Sequence, residues 1–119
     1  MDKISVDESL DLYLDTLGYL DEKYVNGSDN DLKYYILEEL YADAHTFLHS
    51  YTVRLLIEAG LIPKSVEKDS ENLRTLVKDL INKKNTLNEI RFDSDWKLAR
   101  QMAKQILTEI KIYQDSKNT

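Results

Sequence analysis

The chain has 119 residues, 42% of them hydrophobic, which suits a single domain with one packed core. Three Gly, one Pro and no Cys exclude collagenous, low-complexity and turn-rich all-β folds, a disulfide framework and a thiol nucleophile. The 22 acidic and 16 basic residues leave a net charge of −6.

No apolar run reaches the roughly 18 residues of a membrane span. The start, Met1-Asp2-Lys3-Ile4, lacks the basic-then-apolar build of a signal peptide. A cytoplasmic protein with no membrane partner is therefore expected.

Four segments repeat their apolar residues with helical period, and none alternates long enough for a half-buried strand. The first is expected over about residues 6–24. Ser5 and Glu8 stand at capping-box spacing, and Val6, Leu10, Tyr13, Leu14, Leu17, Leu20 and Tyr24 share a face. The turn cluster Asn26-Gly27-Ser28-Asp29-Asn30 ends it.

The second segment covers about 31–59, as one helix or as two with a break near Ser50 to Thr52. Its stripe is Leu37, Leu40, Ala44, Phe47, Leu48, Tyr51 and Leu55. Gly60 suits a left-handed C-terminal cap. Pro63 disfavours a helical Ile62 and marks a connection.

The third helix is expected over about 65–83, capped by Ser65 or Ser70, with Val66, Leu73, Leu76, Val77, Leu80 and Ile81 inward. Thr86 to Phe92 is ambiguous, since Thr86 and Glu89 could make a short helical turn. Ser94 or Asp93 caps the fourth helix, over about 95–113. Its stripe is Trp96, Ala99, Met102, Ala103, Ile106, Leu107, Ile110 and Tyr113. The polar residues 114–119 are expected to fray. The fold class is thus all-α: one domain over 1–119, a four-helix or five-helix antiparallel bundle.

Charge is distributed unevenly along the chain. Residues 1–60 hold 13 acids and 4 bases, a balance of −9, while residues 61–119 hold 9 and 12, a balance of +3. On the first helix Asp7, Glu8, Asp11, Asp15 and Glu22 form an acidic side. Like charges at i and i+4, such as Asp11 and Asp15, each cost a few tenths of a kcal/mol. The helix dipole offsets this for Asp7 and Glu8 only.

On the last helix Lys97, Arg100, Lys104 and Lys111 fall within about a 60° arc. That basic stripe either neutralises the acidic side within the bundle or contacts something else. A chain acidic overall, with no aromatic among those bases, is not expected to bind nucleic acid directly.

Seven of the eight Tyr lie in the first 51 residues, the acidic half. Tyr13, Tyr24 and Tyr51 fall on core stripes. The outward face of the second helix reads Asp31, Tyr34, Tyr35, Glu38, Ala42, His45, His49. Tyrosine is a favoured interface anchor, with large apolar area and few rotamers to lose.

His45 and His49 are four apart and, on one helix, could reach a common metal with Glu38 nearby. The segment lacks the Glu of a His-Glu-x-x-His motif and the Glu-x-x-His pairs of di-iron bundles. Gly-rich phosphate loops, Walker and Rossmann motifs and the Gly-x-Ser-x-Gly elbow are also missing. No catalytic residue, metal or cofactor is expected, and the chain is not expected to be an enzyme.

The leading expectation is a small acidic inhibitor or neutraliser, like an immunity protein, antitoxin or anti-defence protein in its logic. It would bind a basic partner such as a toxin or nuclease. The expected contacts are Asp11, Asp15, Tyr19, Glu22, Tyr34, Tyr35, Glu38 and His45. Two alternatives stand beside it: a self-associating structural or adaptor bundle, as a homo-oligomer, and a metal-binding bundle using His45 and His49.

Overall fold

The computed structural model describes residues 5–117, and all of its regular structure is helical. Helix α1 spans Val6–Gly18, α2 Glu22–Val25 and α3 Asp29–Leu32. Helix α3 runs without a break into a π-helical segment, Lys33–Leu40, and then into α4, Tyr41–Phe47. Helix α5 spans Ser50–Glu58, α6 Val66–Lys83, α7 Leu87–Phe92 and α8 Ser94–Lys117. Helix α6 packs on α8, α4 and α5; α1 packs on α4, α5 and α8; α7 packs on α8.

Caps read from the sequence are largely where expected. Ser5 Oγ accepts from the Glu8 amide at 3.1 Å, and Thr86 with Glu89 forms a complete capping box. Asp93 closes α7 and opens α8, its carboxylate accepting from the Asp95 amide at 2.8 Å. Gly60 takes φ +76°, which permits a left-handed turn after α5. Ser70 is no cap: it is buried inside α6, and its hydroxyl bonds to the buried Tyr13 hydroxyl of α1.

The first expected helix is cut short. It stops at Gly18, and Asp21 starts a new turn by accepting from the Lys23 amide at 2.8 Å. The bend between them sinks Leu20 into the core.

The second expected helix is broken at Leu48 and His49, ahead of the anticipated place. There the Nδ1 of His49 accepts from the Tyr51 amide at 3.1 Å and caps α5. The altered phase leaves Tyr51 75% exposed, so it does not belong to the core stripe. The last helix continues through Lys117 rather than fraying at residue 114. Its final turn is tied down by Tyr113 and Lys117, which donate to the Gly60 carbonyl at 3.3 and 2.6 Å. Residues 118 and 119 of the expected frayed tail lie outside the described residues.

The π segment has a cause in the spacing of its core residues. Leu32, Ile36, Leu40, Ala44 and Leu48 are all buried, each four after the last. In an α-helix each such step overshoots by about 40°, so the stripe would turn away from the core within a few steps. The wider turn of i→i+5 bonding compensates and keeps every fourth side chain inward. This strict repeat was the available signal for it.

Around α7 the arginines serve the fold. Arg91 donates to the Val25 carbonyl at 3.1 Å, the Gly27 carbonyl at 3.0 Å and Asp29 at 2.6 Å, clamping the α2–α3 turn. Arg100 donates to the carbonyls of Ile90 and Arg91 at 2.8 and 3.3 Å, filling acceptors left open at the end of α7. Buried Trp96 donates through Nε1 to the Lys84 carbonyl at 2.7 Å.

Candidate functional site

The wide turn of the π segment places Tyr34 and Tyr35 near the C-terminal end of α1. The Tyr35 ring lies 5.9 Å from Tyr19, 4.4 Å from Tyr24 and 5.0 Å from Tyr34, centre to centre. Edge-to-face and offset contacts of this kind favour a rigid aromatic patch. Tyr34 stays 48% exposed at its outer edge, and Tyr41, the first residue after the segment, stays 45% exposed. The Tyr41 ring meets His45 edge-on at 5.3 Å.

Carboxylates surround this patch. The Tyr19 hydroxyl faces Asp43, with Glu39 and Asp15 close enough to act on it. Loss of solvent, then the charges of Asp43, Glu39 and Asp15, push the Tyr19 hydroxyl up to about 12. Asp43 is itself raised, first by desolvation and then by Glu39, although the Tyr19 hydroxyl pulls the other way. Tyr34 faces Glu39, five residues on, and is raised mainly by that contact and that charge.

These acids form no ion pair among the described residues, and the cation that the patch does meet is Lys23, 5.0 Å from the Tyr24 ring. Among the described residues, ion pairs join Arg54 to Glu67, Lys83 to Asp79, Lys84 to Asp93 and Asp95, and Arg91 to Asp29. Asp11, Asp15, Glu38, Glu39 and Asp43 take part in none of them. The basic last helix therefore does not neutralise the acidic side of α1 by direct pairing.

The expected contact residues separate into groups. Asp15, Tyr19, Tyr34, Tyr35 and Glu38 gather around the patch, and His45 joins through Tyr41. Asp11 lies exposed one turn before Asp15 on α1. Glu22 is placed elsewhere: the bend after Gly18 turns it into a cleft beside α8, where its charge acts on Arg100. Sequence reasoning missed Tyr24, Glu39, Tyr41 and Asp43. The i, i+5 relation of Tyr34 to Glu39 belongs to a π turn, and an α-helical wheel cannot reveal it.

The metal alternative loses its assumed geometry. His49 is the extended N-cap of α5, so it does not stack one turn above His45 on a helix. Among the described residues, no group of three His, Cys, Asp or Glu side chains could hold a metal ion.

A second feature lies on the other side of α2. A cleft of about 590 Å³ is floored by Leu17, Leu20, Ala103 and Leu107 and edged by Lys97, Lys104 and Lys111, with Phe92 at its margin. No helix among the described residues is long and apolar enough to cross a membrane. No family model, curated protein or solved structure matches the chain.

Proposed function

We propose that this chain, folded as an antiparallel helical bundle, is a small acidic inhibitor or neutraliser that acts by binding. Its target is a basic protein surface, such as that of a toxin or nuclease, in the manner of immunity proteins, antitoxins or anti-defence proteins. The observation that carries the reading is the tyrosine patch ringed by Asp15, Glu38, Glu39 and Asp43, which form no ion pair among the described residues.

Keeping like charges together costs stability, and a basic partner would remove that cost on docking. The opposite field would speed association, and the exposed rings of Tyr34 and Tyr41 would hold the complex once water is expelled.

The test is affinity purification from the source cell with the intact chain and with a Tyr34→Ala, Glu38→Lys variant. The expected catch is a basic protein whose affinity falls as salt rises. Tyr34→Ala alone is expected to weaken binding about 30-fold, the size of a hot-spot loss near 2 kcal/mol, with an unchanged helical spectrum. A partner that binds both forms equally, or binds only through residues 61–119, overturns the reading.

A further inference from the structure

The basic cleft has features that the fold does not use. Arg91 and Arg100 both line it, but their guanidinium groups are spent on main-chain carbonyls and Asp29. Lys97, Lys104 and Lys111 differ: they are exposed, and their ammonium groups take part in no ion pair or hydrogen bond among the described residues. They recur every seventh residue on α8, so they stand in a row about 10 Å apart along its axis. Beside the row lies the apolar floor, and Phe92 at the margin is 64% exposed.

An occupant of this cleft must therefore bring negative charge to the lysines and apolar area to the leucines. A bare phosphate chain meets only the first demand. The chain's own tyrosine patch meets both. Tyr34, Glu38 and Tyr41 lie four and three residues apart on one continuous helix, with exposed rings flanking an unpaired carboxylate. The patch and the cleft share no residue, so one molecule can offer both at once.

We propose that the cleft is a docking site for a second copy of this chain, which inserts its acidic tyrosine face beside the α8 lysines. The contact is head-to-tail: one face and one cleft meet, and each pair leaves another face and another cleft open. A basic partner and a second copy then compete for the same tyrosine face. The inference shares with the proposed function the idea that this face docks, but it does not need a foreign partner.

Sedimentation velocity of the full chain, from about 50 mM to about 500 mM salt, tests it. Wild type is expected to associate with rising concentration, and to weaken at least about tenfold over that salt range. A cleft variant, Lys97→Glu with Lys104→Glu, and a face variant, Tyr34→Ala with Glu38→Lys, are each expected to be monomeric. Mixed in equal amounts they should form a one-to-one dimer, because one retains its face and the other its cleft. That recovery also shows that both variants are folded.

If either variant loses its helical spectrum, the charge-neutral Lys97→Gln, Lys104→Gln form replaces the cleft variant and Glu38→Gln the face variant. Each alone is then expected to associate at least about tenfold more weakly than wild type. Wild type that stays monomeric at low salt, a mixture that forms no dimer, or a cleft that takes only a single-stranded oligonucleotide overturns the proposal. A monomeric wild type that still captures a basic protein from the cell overturns it alone and leaves the proposed function standing.

Discussion

Two regions of the molecule hold carboxylates in opposite circumstances. At the corner where α6, α7 and α8 meet, Asp93 and Asp95 each accept from Lys84 at 3.0 Å, and Trp96 fills the space beneath. Those bonds hold Asp93 below the usual aspartate range and raise Lys84. Around Tyr19, by contrast, Asp43 is desolvated beside Glu39 and Asp15, and its carboxyl is raised. One region uses its charges to close the fold, and the other keeps charges the fold would be more stable without. Charge retained at a cost to stability, next to exposed aromatic rings, is what a docking surface requires.

The largest test of this contrast removes one ring from each region. Trp96→Ala is expected to cost about 3–5 kcal/mol, because it empties a fully buried site. Tyr34→Ala, at an exposed edge, is expected to cost under about 0.5 kcal/mol. Urea denaturation checks both, and equal costs would remove the distinction.

A smaller loss is expected at the buried α1–α6 contact. Tyr13→Phe leaves the buried Ser70 hydroxyl without its partner, at about 1–2 kcal/mol. Ser70→Ala on that background should restore part of the loss, since both polar groups are then gone.

The smallest effects carry opposite signs. Asp93→Asn gives up a pair with Lys84 and should destabilise slightly. Asp43→Asn relieves the like-charge contact with Glu39, four residues away, and should stabilise by about 0.3 kcal/mol at neutral pH. For a chain of this size that is a rise in Tm of about 1–2 °C.

Acid titration should show the same opposition. The raised Asp43 binds its proton more tightly when folded, so its contribution to stability grows as pH falls from neutral toward the ordinary aspartate value of 3.8. The lowered Asp93 contributes stability above 3.8 and loses it as pH falls below that value toward its folded one. Thermal melts of wild type and the two Asn variants across pH 3–7 separate the two. A wild-type profile flat above pH 4, or one that Asp43→Asn leaves unchanged, would count against an unpaired acidic face.

How far each feature was legible depended on whether its cause is local. The α6 stripe through Leu73, Val77 and Leu80 and the Thr86–Glu89 box act within a turn or two of helix, so spacing alone reveals them. The breaks at Gly18 and His49 were not legible as placed. Each depends on a side chain's choice to bond a nearby amide, Asp21 at one and His49 at the other, once the core draws Leu20 and Leu48 inward. Those breaks sent Glu22 to the cleft, put Tyr51 in solvent and separated His49 from His45.

The amino-acid order by itself determined the all-helical class, the buried faces of α6 and α8, the left-handed turn at Gly60 and the split into an acidic, tyrosine-bearing half and a basic half. These follow from periodicity, backbone freedom and counted charge. Only the tertiary structure decided that α3 passes through a π turn into α4, that Tyr19 sits among Asp15, Glu39 and Asp43, and that Arg91 and Arg100 are spent on carbonyls while three lysines of α8 are not. The reason is that hydrogen-bond register and charge pairing are settled by which elements share the core, and no stretch of sequence carries that information alone.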